Sequence, residues 1–287
     1  MVARAKAAPV LAPLVAAAPT WSGPPLTVVA FVQRDRMRGM IRTAFPRRRA
    51  HVVMTRTLAD FDAATHEHLV DAALVDVGGQ HDDTWRVAAR ARELPSVPFF
   101  GMLALRAAEG PVLAQCAAWE FADVLVDGID DGSARELVGR CGFTARFARA
   151  LEAPPETLAL ESQLQRNAWA FVVAHAGRPV RTGALALALK VTREHLSRSF
   201  AADGGANLKR IIDLVRVIAA AELAKNPGYD VRDVAHVLEF ASPSHLSNTA
   251  MRIVGTKPSS LSRLRTVDLV ERFAKGHGRS RSKGQST

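Results

Sequence analysis

Glu194, Ser197 and Arg198 are the residues whose types and spacing most plainly suggest chemistry. At about 100° per residue they share one helix face with Ala201, while Leu196 and Phe200 fall opposite with Thr192 and Ser199. One face packs and the other presents a carboxylate, a hydroxyl and a guanidinium, groups that meet base edges in the major groove of duplex DNA. Taken alone, such a helix is more often a solvated amphipathic surface. Its neighbours change that weighing.

Before this helix, residues 182–189 form a short run of small and aliphatic residues, and Lys190-Val191 leaves a tight turn between the two. The pattern repeats at 230–238 and, after a turn, at 242–253, with Asp230 as a helix N-cap and Asp233 three positions on. Between the copies, residues 207–225 place Leu208, Ile211, Ile212, Val215, Ile218, Ala219 and Leu223 at helical spacing. A long connecting helix of this kind fixes the separation of two readers. Recognition helices about 34 Å apart enter two successive major grooves on one face of DNA, and any bend adds shape selectivity.

Leu196-Ser-Arg-Ser-Phe200, Gly205, Arg216 with Ala220 and Leu223, Val234-Ala235, Phe240, Ser242, Leu246, Gly255 and Pro258 together resemble the DNA-binding domain of the AraC/XylS family, over residues 160–265. The resemblance implies base contacts from Glu194, Ser197 and Arg198 in the first reader and from Ser244, His245, Ser247 and Asn248 in the second. Arg198 suits guanine, Glu194 cytosine N4 and Asn248 adenine. Lys190, Arg193, Arg252 and Lys257 are placed as phosphate contacts, which position without specifying. The second copy departs from the family: Glu239 stands where Gly usually precedes the Phe, Asn248 where Arg is common, and Ala250 and Met251 where a Phe and a basic residue are usual. The first reader is therefore expected to dominate.

Charge divides the chain. Residues 1–155 hold 18 Lys and Arg against 17 Asp and Glu, and residues 156–287 hold 20 against 11. The excess of +10 thus sits almost wholly in the second half, the half that would meet phosphates. Few aromatics there argue against single-strand stacking and favour duplex over RNA. The 287 residues suffice for two cored domains. Cys116 and Cys141 form no metal spacing or disulfide framework, which fits a reducing cytoplasm. No apolar run approaches a membrane span. The expected organisation is a disordered Ala/Pro-rich tail (1–25), an α/β domain (26–151), a linker around Pro154-Pro155 (152–160), an all-α domain (161–273) and a disordered basic tail (274–287). Arg4, Lys6 and the apolar residues after them faintly resemble a signal peptide, but Pro9 and Pro13 interrupt the run.

From residue 26 to 151, short apolar runs alternate with helical stretches five times, which predicts a five-stranded parallel sheet with helices on both faces. Size and count resemble a receiver domain of the response-regulator, flavodoxin-like type. Receiver chemistry needs an acidic Mg²⁺ cluster, a phosphoacceptor Asp, a hydroxyl residue and a Lys. Asp76 ends the third strand as a candidate phosphoacceptor, but Gln33-Arg34-Asp35, Leu103 and Asp127 occupy the other places. A phosphoryl group on Asp76 would be poorly stabilised. Asp76 is read instead as a strand-end residue before Gly78-Gly79, with Arg34 or Arg36 pairing with it or with Asp35. Such a pseudo-receiver serves dimerisation, protein docking or small-ligand binding at the strands' carboxyl ends.

No phosphate loop, nucleophile elbow or metal-binding pair is apparent, and no cofactor is expected. His66 and His68, two apart on a helix, cannot share a metal and read as a solvated helix end. The expectation is a non-enzymatic cytoplasmic regulator of transcription that binds promoter double-stranded DNA, with RNA polymerase as partner and a homodimer or regulatory protein meeting the N-terminal domain. The alternatives are an interaction module that has lost specific DNA binding and docks a partner regulator, and an Asp76-phosphorylated response regulator.

Overall fold

The computed structural model describes residues 24–79, 82–104, 110–201 and 206–282, with side chains to residue 276. Most of the N-terminal tail, Gly205 and the last five residues lie outside them. Strands β1 (Leu26–Phe31), β2 (Ala50–Thr55), β3 (Ala72–Asp76), β4 (Phe99–Leu103) and β5 (Asp123–Val126) form a parallel five-stranded sheet in the order β2-β1-β3-β4-β5. The inner strands β3 and β4 are buried at every residue, which is why they read as continuous apolar runs rather than alternations.

Each strand feeds a helix: α1 (Asp35–Ala44), α2 (Leu58–Glu67), α3 (Thr84–Glu93), α4 (Gly110–Ala118) and α5 (Ala134–Cys141). Met37 and Ile41 of α1 share one core with Val138 of α5, while Phe61, Val87 and Cys116 of α2, α3 and α4 form the core on the other face. The fold is the expected α/β arrangement. The last of the five helical stretches expected up to residue 151, however, breaks at Gly142, beyond which α6 (Phe143–Ala150) turns away from the sheet. The carboxylate of Asp71 fixes this corner, accepting from the N–H groups of Thr27 and Thr144 at 2.9 Å each. Phe143, Phe147 and Leu151 join the helical core instead.

The C-terminal part is all-α: α7 (Gln163–Ala174), α8 (Thr182–Ala188), α9 (Arg193–Ala201), α10 (Leu208–Leu223), α11 (Val231–Val237), α12 (Pro243–Val254) and α13 (Thr266–Ser282). Helix α7 starts in a capping box between Ser162 and Gln165, and Trp169 donates from Nε1 to Leu151 O at 2.8 Å, tying it to α6. Helix α10 is buried on all sides from Ile211 to Ala221, so it is the axle of this domain rather than an amphipathic surface helix. Helix α13 continues to Ser282, into the stretch expected to be a disordered basic tail.

The two parts are docked. Asn226, 1% exposed, donates to Ser96 Oγ at 2.7 Å and accepts from Ser96 N at 2.9 Å. Gly228 N donates to Glu93 O, and Tyr229 Oη to Thr65 O. The Tyr229 ring packs against both the helical core and the sheet core.

Candidate nucleic-acid interface

Two copies of one local design flank α10. In the first, α8 ends at Ala188, Lys190 takes a left-handed conformation (φ +57°), and Val191 N donates back to Ala186 O. Thr192 Oγ1 then accepts from His195 N at 3.1 Å and starts α9. In the second, Glu239 (φ +54°) reverses the chain, Phe240 N donates to Ala235 O, and Ser242 Oγ accepts from His245 N to start α12. Thr192, placed on the packed face by its helical angle, is exposed and serves as this cap.

Arg216 of α10 pins the second turn from beneath. Its guanidinium donates to Gly177 O, Leu238 O and Glu239 O and stacks 3.8 Å from the Phe240 ring centroid. Burial lowers its pKa against the opposing pull of Asp213 and Glu239. Gly177 passes so close to α10 that a Cβ there would lie 2.4 Å from Ala219 Cβ. The second reader thus rests on α10, while α9 of the first packs on α7 and α8 and shares the same helical core.

On α9, Leu196 and Phe200 are buried, whereas Glu194, Ser197 and Arg198 are exposed, with Lys190 and Arg193 beside them. On α12, Leu246 and Ala250 are buried, Ser244, His245 and Asn248 exposed and Ser247 half-buried. The His245 ring rests edge-on against Phe240 at 5.6 Å, which orients it. Lys257 is exposed, but Arg252 is already committed to Asp213 of α10 at 2.8 Å. The phosphate contact expected of Arg252 thus competes with an ion pair that local spacing does not announce, since the partners lie on different helices.

In the α/β part, Asp76 is fully buried at the carboxyl end of β3. Its Oδ2 accepts from Arg34 N at 3.1 Å and its Oδ1 from Arg34 Nε at 2.8 Å and from Nη2. Arg36 pairs with Asp127 instead. A guanidinium therefore occupies the carboxyl end of β3, paired with the buried Asp76 carboxylate. Among the described residues no group of three or more His, Cys, Asp or Glu is placed to hold a metal, and no helix is long and apolar enough to cross a membrane.

His66, read as part of a solvated helix end, lies in the seam between the two parts. Its Nε2 is 3.2 Å from Gly228 O, its ring meets Tyr229 edge-on at 5.4 Å, and Asp233 stands 4.0 Å away. The seam joins residues some 160 positions apart, which no local pattern announces.

A family model described as a helix-turn-helix domain matches residues 185–263, from within α8 to the 3-10 turn at Pro258–Arg263. No curated protein matches the chain. Fold, exposed polar helix faces and the family match together make the C-terminal part a DNA-binding helix-turn-helix domain of the kind found in transcription regulators.

Proposed function

We propose that the chain is a sequence-specific duplex-DNA-binding regulator of the AraC type, with a receiver-like domain that docks without phosphorylation. The observation that carries the reading is the pair of exposed polar faces on α9 and α12, α12 packed on α10 and α9 on α7 and α8. Glu194, Ser197 and Arg198 make the principal base contacts, with Ser244, His245, Ser247 and Asn248 as the weaker second set. Lys190, Arg193 and Lys257 take phosphates, and Arg252 joins them only by leaving Asp213. The protein works in the cytoplasm on promoter DNA, with RNA polymerase as the downstream partner. The Arg34–Asp76 pair supports a pseudo-receiver, because a phosphoryl group on Asp76 has first to displace a cation that already neutralises the carboxylate.

The test is selection of bound fragments from a random duplex pool at about 0.15 M salt, where nonspecific binding is partly suppressed. Wild type is expected to enrich a motif spanning two successive grooves, and Arg198→Ala to lose or relax one half of it. Equal, motif-free binding by both proteins overturns the reading and leaves a docking protein in its place.

A further inference from the structure

Seven arginines and one carboxylate, Asp35, fall between residues 34 and 49. Two are consumed within the fold, Arg34 by Asp76 and Arg36 by Asp127. Among the described residues the other five, Arg38, Arg42, Arg47, Arg48 and Arg49, have no carboxylate partner. Arg42 lies on the outer face of α1 and Arg47, Arg48 and Arg49 in the turn before β2, and all four are exposed. The near-neutral charge of the N-terminal half thus conceals a strongly basic edge. Like charges gathered without counter-charges repel one another and are relieved by a polyanion.

Its position says which polyanion. The arginine turn lies at the amino ends of the strands, the end on which the helical part docks. His51, two residues beyond Arg49, meets the His68 ring at 5.3 Å, and His66 in turn reaches Gly228 and the first turn of α11. In helix-turn-helix units the first helix crosses the DNA backbone while the second enters the groove. The arginine turn therefore lies at the same end of the sheet as the first helix of the second reader, with the end of α2 between them. That reader is also the one short of cations, because Arg252 is held by Asp213 and positions 248 and 251 are Asn and Met.

We propose that Arg42, Arg47, Arg48 and Arg49 form a third DNA contact, a phosphate-binding edge on the receiver-like domain that extends the footprint outward from α11 and α12. The inference rests on the DNA-binding reading above. Guanidinium groups suit bidentate phosphate contacts, and such contacts add affinity and salt dependence without altering the sequence read.

The experiment measures binding of the selected duplex by full-length protein across about 0.05 to 0.3 M salt, the range over which counterion release dominates. R47A/R48A/R49A is expected to keep its thermal unfolding and its motif, and to lower the slope of log K against log salt by about 2 to 3. Trimming the duplex beyond the second half-site should weaken wild type and leave the variant indifferent. An unchanged slope overturns the proposal, and so does an equal loss from the charge-matched R135A/R140A/R149A, since the effect would then be one of net charge. If wild type itself shows no motif, it is the DNA-binding reading that falls.

Discussion

A carboxylate with no exposed surface keeps its charge in a protein interior only when a cation and hydrogen bonds replace water, and Arg34 supplies both to Asp76. Gly78 makes room for it: a Cβ there would sit 2.6 Å from Arg34 Nη2. Removing one partner strands the other, so Asp76→Ala is expected to cost about 3 kcal/mol. The double variant Arg34→Ala/Asp76→Ala should lose clearly less than the sum of the singles, read by urea unfolding as a double-mutant cycle with coupling of about 2 kcal/mol. Additive losses would show that the pair is not the source of the stability. The place of Asp76 at the end of β3 was legible in the sequence. Which arginine closed on it was open between Arg34 and Arg36, because strand ends 42 residues apart are brought together only by the sheet register.

At the scale of elements, α11 is seven residues long and depends on its first turn. Asp230 accepts from the N–H groups of Arg232 and Asp233, while the Asp233 side chain accepts from Asp230 N, a reciprocal cap. The Asp233 backbone N–H, ahead of other causes, holds the Asp230 carboxyl below its ordinary pKa. A depressed carboxyl contributes stability that is complete above its unfolded pKa near 4 and fades as pH falls through the lower folded value. Asp230→Ala should therefore speed hydrogen exchange in α11 by a factor matching about 1 kcal/mol, constant from neutral pH down to about 5 and shrinking below 4. Asp230→Asn should keep most of the cap and lose the acid dependence. A difference that widens in acid would contradict a charge-based cap. This cap was visible in the residue spacing, as were the strands and the polar face of α9. The break between α5 and α6 was not: apolar positions recur through residue 151, but those before Gly142 face the sheet and those after it face α7, and one periodicity cannot distinguish two cores.

At the scale of the whole molecule, the two parts meet in a hydrogen-bonded, largely buried seam. Arg178, largely buried, donates to Leu69 O and Thr144 Oγ1 at 3.2 Å each, and burial lowers its pKa against the pull of Asp71. Asn226, Gly228 and Tyr229 repeat the arrangement at the turn leading into the second reader, and burial holds the Tyr229 phenol well above its usual pKa. These bonds join the carboxyl ends of α2 and α3 directly to the turn between α10 and α11. Each buried bond contributes about 1 kcal/mol, and an orphaned partner costs more. Wild type is accordingly expected to melt in one calorimetric transition, with the sheet and helical parts coupled. Asn226→Ala/Tyr229→Phe should split it into two, with the helix-turn-helix part retaining its own midpoint, because α12 packs on α10 and α9 on α7 and α8, contacts that do not involve Asn226 or Tyr229. If the double variant still melts in one step, coupling resides in the α6–α7 core around Trp169, and the seam positions the domains without stabilising them.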